Sequence, residues 1–284
     1  MLKIAKSTSG LSLNKETFES LKNAGFDAIE VSYPVEGYEN INYEELKTLS
    51  ETYELSLWSF HLPFTPFGIV DISNKEYVDE TVELCKDYVD KGTAVGIKYY
   101  VIHPSAEPMT EDERADRMAS AKKGLAILAE YAKTKGAIIC VENLPRTCLG
   151  RDSSDMIDLI SAHADLRVCF DTNHLLSEDP IEFINKLGSN IVTTHVSDYD
   201  LLNERHWLPG EGVTDWKALY NALIEVGYVG PWLYECEFGG STETIVRQRP
   251  LTPEDFVNNA HEIFEGKELT VYGKGVDGLT SWKE

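Results

Sequence analysis

The sequence of 284 residues contains no hydrophobic run long enough to span a bilayer. Its first residues, from Met1 to Lys6, also lack the apolar stretch and the small-residue cleavage site of a secretory signal. These absences predict a soluble protein that stays in the cytoplasm and has no membrane partner.

Basic residues are scarce, because 26 Lys and Arg stand against 48 Asp and Glu, which gives a formal net charge of −22. No stripe of Lys or Arg interrupts this acidic background, and such a chain repels polyanions at long range. We therefore expect no nucleic-acid partner. The composition leaves a homo-oligomer open.

Cysteine is also sparse, and the five cysteines form no CxxC pair. An odd number of cysteines in a long chain argues against a disulfide framework. Cys140, Cys169 and Cys236 lie inside or beside apolar runs, where a cysteine usually serves as a small buried hydrophobic residue.

Short runs rich in Val, Ile, Tyr and Phe recur along the whole chain, each followed by polar residues and then by helical periodicity. Their continuous apolar character is typical of parallel strands that are covered on both faces. No linker separates them, so we predict an α/β fold with a single (β/α)8 TIM barrel over residues 1–284. An open doubly wound sheet is the second choice, since no Gly-rich phosphate loop follows the first strand. The eight runs are Leu2–Ala5, Asp27–Val31, Leu55–His61, Lys98–His103, Ile138–Glu142, Arg167–Asp171, Ile191–Val196 and Trp232–Glu235.

Ionisable side chains stand at or just after the ends of most of these runs. In a parallel barrel all strand ends meet at one rim, so residues far apart in sequence become neighbours there. One such residue alone is more often a helix cap or a hydrogen-bonded rim group, but a whole set favours a metal or proton-transfer site. Carboxylates and imidazoles without thiolates suit Mn, Mg, Co, Fe or Zn. The set is Glu30, His61, His103, Glu142, Asp171 with His174, His195 with Asp198, and Glu235.

Short motifs around these residues resemble the xylose isomerase-like barrel superfamily and, within it, the sugar phosphate isomerase/epimerase group. The motifs are FHLP (60–63), IHPS (102–105), VENLP (141–145), FDTNH (170–174), THVSD (194–198), HWLPGEG (206–212) and YECE (234–237). Their order and spacing carry the likeness from the first strand to about Phe256. The resemblance implies one divalent ion (Mn, Mg, Co or Zn) as cofactor, held by Glu142, Asp171, His195 and Glu235.

The resemblance further implies a small carbohydrate substrate and an isomerase or epimerase reaction that moves a proton next to a ketose carbonyl through an enediolate. Glu142 and Glu235 would act as the acid/base pair, and His174 would polarise the carbonyl or a hydroxyl. Substrate contacts are expected from His174, from Arg205 with His206, from the aromatic residues Phe64, Phe67 and Trp207, and from His61 and His103, which are equally suited to hydrogen bonding and to metal ligation.

The same superfamily contains apurinic endonucleases, which hold three zinc ions with a larger histidine-rich set. The chain keeps counterparts to much of that set, namely His61, His103, His174 and His206, with Glu204 in place of an aspartate. A metal-dependent phosphoesterase is therefore the main alternative, and charge favours sugar chemistry over it. An inosose dehydratase-like lyase and a non-catalytic sugar-binding barrel also stay open, and the sequence does not specify the sugar.

Overall fold

The computed structural model describes residues 1–64, 70–239 and 243–283. Eight parallel strands alternate with eight helices over this part of the chain, which confirms the predicted α/β barrel. Each predicted run overlaps one strand of the barrel, and the ends differ by at most two residues. The strands are β1 Ile4–Ser7, β2 Ala28–Val31, β3 Ser56–His61, β4 Tyr99–Ile102, β5 Ile138–Glu142, β6 Arg167–Asp171, β7 Ile191–His195 and β8 Trp232–Tyr234.

The helices cover the outside of the barrel, one after each strand. α1 shows how their ends are set, because the Asn14 side chain accepts a hydrogen bond from the Thr17 amide and Gly25 ends the helix with φ at 105°. The helices are α1 Lys15–Ala24, α2 Tyr43–Tyr53, α3 Val78–Ala94, α4 Arg114–Thr134, α5 Ser153–Ile160, α6 Pro180–Leu187, α7 Trp216–Glu225 and α8 Pro253–Phe264. None of the helices in the described ranges is both long enough and apolar enough to cross a membrane.

The barrel closes where β7 meets β8. Val196 and Tyr234 form a parallel bridge there. The Val196 amide donates to the Leu233 carbonyl at 2.8 Å, and the Glu235 amide donates to the Val196 carbonyl at 3.1 Å. Glu235 lies just beyond the end of β8 and is fixed by its backbone beside the end of β7.

Two small apolar clusters fill the barrel interior, and a larger one lies between strands and helices. Ala5, Ala28 and Leu233 form one interior cluster, and Val101 forms the other with Cys140 and Cys169. All five cysteines are buried free thiols, which confirms the expectation stated for Cys140, Cys169 and Cys236.

A two-stranded antiparallel sheet near the C-terminus, whose strands flank α8 in the sequence, holds the long loop that follows β7. β9 (Ile245–Arg247) pairs antiparallel with β10 (Gly273–Gly275). Arg247 donates from Nε and Nη2 to the two carboxylate oxygens of Glu211 at 2.9 and 2.6 Å. Both side chains are buried, so this is a desolvated bidentate ion pair. It joins this small sheet to the loop that carries Glu204, Arg205 and His206.

We expect Arg247→Met to lower the free energy of unfolding by about 3 kcal/mol, because the Glu211 carboxylate would remain buried without its partner. Arg151→Met is the matched control, since Arg151 pairs with Glu111 at the surface and should contribute far less. Urea unfolding of the three proteins measures the difference. Equal losses in the two variants would contradict a stabilising role for the buried pair.

Candidate active site

Four side chains from the last four strands of the barrel converge at its C-terminal mouth. Glu142, Asp171, His195 and Glu235 each offer one ligand atom, and these atoms lie within 4.8 Å of one another. Glu142 ends β5, Asp171 ends β6, His195 ends β7, and Glu235 follows β8. The structure therefore brings together the four residues that were expected to hold a metal ion.

His195 lies at the centre of this group. Its Nδ1 is 3.0 Å from Glu142 Oε1, 3.2 Å from Glu235 Oε2 and 3.8 Å from Asp171 Oδ2. Its Nε2 faces Glu30 on the other side, 3.0 Å from Oε1. A proton on Nε2, donated to Glu30, leaves the Nδ1 lone pair directed at the three carboxylates, which is the arrangement of a metal-binding histidine with a supporting carboxylate.

Glu30, one of the ionisable groups at the predicted strand ends, is fully buried and does not line the cavity. It accepts a hydrogen bond from Ser59 Oγ at 2.7 Å as well as facing His195. Glu30 therefore orients the histidine from inside the barrel.

The environment of Asp171 gives the clearest indication that a cation fits this group of side chains. Its Oδ1 accepts a hydrogen bond from the Asn173 amide at 2.6 Å. Its Oδ2 is buried and has no hydrogen-bond partner in the described part of the chain. Burial raises the pKa of Asp171 to about 7, since its charged form lacks solvation. An oxygen of this kind, beside two other carboxylates, suits a bound divalent ion.

The histidine in this cluster responds to the same excess of negative charge. Burial by itself lowers the pKa of His195, but the nearby acidic groups, Glu235, Glu30 and Glu142 among them, outweigh it and raise the pKa well above its usual value. The group as a whole is short of positive charge, and either a proton or a metal ion can supply it.

Two further histidines contact the second oxygen of Glu142. Its Oε2 lies 3.1 Å from His61 Nε2 and 3.2 Å from His103 Nε2. Phe64 packs beside them, with its ring centroid 4.5 Å from that of His103. His61, His103 and Glu142 also satisfy the geometry of a three-ligand group.

Another such group consists of His174, Glu204 and His206. Glu204 Oε1 is 2.9 Å from His206 Nε2 and 3.6 Å from His174 Nε2. Burial opposes protonation of both histidines, but neighbouring carboxylates outweigh it, chiefly Asp171 for His174 and Glu204 for His206. The pKa of His174 rises to about 10 and that of His206 to about 9. His206 adopts a positive φ of 54°, which directs its ring back toward this group.

One cavity of about 340 Å³ adjoins these residues, and Glu30, Asp171 and His195 are not part of its lining. Glu142 and Glu235 both reach it, and so do six of the residues expected to contact substrate: His61, Phe64, His103, His174, Arg205 and His206. Phe67 lies outside the described residues. Five further residues line the cavity although none of them was expected to contact substrate: Lys6, Ser7, Ser9, Cys236 and Glu237.

Trp207 was expected to contact substrate, but it is not among the residues that line the cavity. Its backbone forms an antiparallel bridge with Asp198, and its side chain lies beside the small C-terminal sheet. The indole is buried and donates to Thr244 Oγ1 at 3.2 Å, and a Cβ at Gly275 would lie 2.8 Å from its ring. Trp207 therefore supports the loop after β7.

Asp198, counted with His195 among the rim groups, also has a structural position. Its buried carboxylate accepts hydrogen bonds from the amides of Gly210 and Gly212 at 2.8 and 3.0 Å and from Trp216 Nε1 at 2.8 Å. These bonds fold the loop that presents Arg205 and His206 to the cavity.

Comparison with known proteins places this geometry among related barrels. The sequence profile of the family described as "Xylose isomerase-like TIM barrel" matches residues 18–253. Among curated proteins, the fructoselysine 3-epimerase of Shigella flexneri is 22% identical over 75% of this chain and 82% of its own length. The D-psicose 3-epimerase of Ruminiclostridium cellulolyticum is 25% identical over 78% of this chain and 77% of its own. The crystal structure of a D-tagatose 3-epimerase-like protein superposes with a TM-score of 0.72 at 24% identity, covering 82% of this chain and 90% of the other.

We expect Mn²⁺ at about 100 times its Kd to raise the Tm of the EDTA-treated, desalted protein by about 5–10 °C. Asp171→Asn should lose most of this rise. Without metal it should melt no lower than wild type, because it removes an unpartnered buried oxygen charge. Asp158→Asn makes the same chemical change at the surface and should respond as wild type. Differential scanning calorimetry provides the values, and a full response in Asp171→Asn would argue against Asp171 as a ligand.

Proposed function

The chain belongs to the xylose isomerase-like TIM barrel family, and from this premise we propose that it is a divalent-metal-dependent sugar isomerase or epimerase. The observation that carries the proposal is the convergence of Glu142, Asp171, His195 and Glu235, in which Asp171 Oδ2 has no hydrogen-bond partner within the described ranges. The two curated 3-epimerases that match about three quarters of the chain support the choice of sugar chemistry.

Glu142, Asp171, His195 and Glu235 would hold one ion, and Mn, Mg, Co and Zn all accept such an oxygen and nitrogen set. When bound, the ion would act as a Lewis acid toward neighbouring oxygens of a ketose and acidify the C–H beside the carbonyl. Glu30 and Asn143 would keep the set in place. Glu30 faces His195 Nε2, and Asn143 exchanges two hydrogen bonds with the Asp171 backbone at 2.7 and 2.9 Å.

The proton transfer itself falls to Glu142 and Glu235, which come from strands on different sides of the group. One carboxylate takes the proton from the carbon next to the carbonyl, leaving an enediolate, and the other returns a proton. Burial opposes ionisation of both, but the neighbouring His195 outweighs it and keeps each pKa below its usual value. Both groups are therefore ionised and ready to accept a proton at neutral pH.

The remaining cavity histidines would orient the sugar. His174 Nδ1 is 2.9 Å from the Asn143 carbonyl, which fixes the ring and leaves Nε2 on the side of Glu204. From there His174 can donate to a carbonyl or hydroxyl oxygen. Arg205 and His206 reach the cavity from the loop after β7 and would bind a more distant substituent.

A metal-dependent phosphoesterase is the second candidate, and a specific observation favours it. Besides the four-residue group, His61 with His103 and Glu142, and His174 with Glu204 and His206, each form a further possible ligand set. Three closely spaced ions would suit the charge of a phosphate ester. The net charge of −22 opposes approach to DNA, so sugar chemistry stays the first candidate. A lyase of the inosose dehydratase type would share the first proton abstraction and differ in its product.

We predict that Glu142→Gln and Glu235→Gln each reduce turnover of the substrate by about 10²-fold or more while much of the substrate affinity remains. The amide still offers a coordinating oxygen but does not accept the proton. The assay follows solvent deuterium into a panel of ketoses with Mn²⁺ present, and Glu237→Gln tests an exposed carboxylate of the same wall. If either variant exchanged the substrate C–H at the wild-type rate, the two-carboxylate mechanism would be wrong.

We also predict one tightly held ion per chain after desalting and no cleavage of an abasic DNA duplex. His61→Ala and His103→Ala should retain this ion, because the four-residue set does not need either histidine. Elemental analysis and a gel-based cleavage assay measure the two quantities. Three equivalents surviving dialysis, together with DNA cleavage, would replace the sugar assignment with the phosphoesterase.

A further inference from the structure

Lys6 lies at the carboxyl end of β1, in the wall of the same cavity. Only 2% of the residue is exposed, and β1 places it beside β8, where it is in register with Tyr234. Its Nζ is 5.5 Å from the centre of the Phe238 ring and 5.6 Å from that of Phe256. These two aromatic faces hold the ammonium group in place without neutralising it.

The side-chain nitrogen of Lys6 makes few polar contacts with the protein for a buried basic group. Nζ donates one hydrogen bond, to the Ser7 carbonyl at 3.0 Å. No carboxylate in residues 1–64, 70–239 or 243–283 forms an ion pair with it. Burial lowers the pKa of Lys6 from its ordinary value, because the charged form loses solvation, and the more distant Glu235, Glu237 and Glu30 oppose this shift only in part. A lysine ammonium has three N–H donors, and buried charges in proteins are normally paired. Lys6 therefore has donors that a group in the cavity could engage, and an anion there would favour its charged form.

Arg205, the other Lys or Arg side chain that lines this cavity, already donates hydrogen bonds within the protein. Arg205 donates from Nε to Asp200 at 2.8 Å and from Nη2 to the Thr280 carbonyl at 3.2 Å. Ser7 and Ser9 line the cavity next to Lys6 and add hydroxyl donors on its side. The end of β1 thus combines an unpaired ammonium with two hydroxyl groups, which is a donor set suited to an anionic oxygen group.

We infer that Lys6 binds an anionic substituent of the substrate, so that the sugar carries a phosphate or a carboxylate. This inference rests on the proposed function and names its substrate class. A neutral hydroxyl would be served by the serines and histidines alone, whereas an anion compensates the buried charge of Lys6. Lys6 acts in recognition, and the proton transfers stay with Glu142 and Glu235.

The test uses three ketohexoses that share the keto end of the molecule: D-fructose, D-fructose 6-phosphate and D-fructuronate. Calorimetric titration of the Mn²⁺-loaded full-length protein gives their Kd values for wild type, Lys6→Met and Lys3→Met. Methionine keeps the length of the buried side chain. Lys3→Met is the matched control, because Lys3 loses the same charge at the exposed start of the same segment.

We expect wild type to bind at least one of the two anionic sugars about 10-fold or more tightly than D-fructose. Lys6→Met should lose this preference while its affinity for D-fructose changes little, and Lys3→Met should behave as wild type. The sugar with the larger preference identifies phosphate or carboxylate as the recognised group. Absence of an anion preference in wild type, or its persistence in Lys6→Met, would overturn the inference.

Solvent-deuterium exchange of the same sugars separates this inference from the proposed function. If no sugar exchanged its C–H while the Lys6-dependent anion preference was intact, the isomerase assignment would fail and Lys6 would stand as an anion-binding residue. If exchange occurred with all three sugars at equal efficiency in wild type and Lys6→Met, the proposed function would stand and the role of Lys6 would be overturned.

Discussion

Repulsion among buried carboxylates at the mouth of the barrel is the constraint on which the rest of the site depends. Glu142, Asp171 and Glu235 converge on His195, and Asp171 Oδ2 has no hydrogen-bond partner among the described residues. A low-dielectric site cannot hold several like charges so close together unless positive charge is supplied. Strand pairing in the folded barrel holds these groups together. The stability of the fold therefore maintains a site that favours binding of a cation.

Much of the surrounding structure keeps these groups from relaxing apart. Glu30 faces His195 from the inner side, and Asn143 joins the backbones of β5 and β6 through two hydrogen bonds. Asp198 holds the loop after β7 in its fold through hydrogen bonds, and the Arg247–Glu211 pair joins that loop to the small C-terminal sheet. The hydrogen bonds of these supporting groups lie within the protein, so preorganisation of the site is obtained from the scaffold rather than from the ligand.

The sequence predicted the barrel and the meeting of ionisable groups at one rim, because parallel strands make the end of each strand a shared position there. The choice of four of these groups as metal ligands came from the family resemblance. Contacts across the barrel could not be predicted from the sequence. Glu30 and His195 are separated by 165 residues, and no local pattern reports that their side chains meet inside the barrel. The position of Trp207 could not be predicted for a different reason. Its backbone bridges to Asp198, and its ring packs against Gly275, which is distant in the sequence. Lys6 gave a weak signal, a single basic residue near an apolar strand end, which is usually exposed.

The acidity of the chain and an anionic substrate are compatible because they act at different distances. Charges spread over the surface are screened within about 8 Å at physiological ionic strength, so the net charge of −22 mainly opposes extended polyanions that must contact many surface positions. A sugar with one anionic group contacts only the cavity wall. There the unpaired ammonium of Lys6 and a bound cation would dominate, since short-range interactions in a buried site are little screened. The same distribution of charge therefore disfavours DNA and admits a small anion.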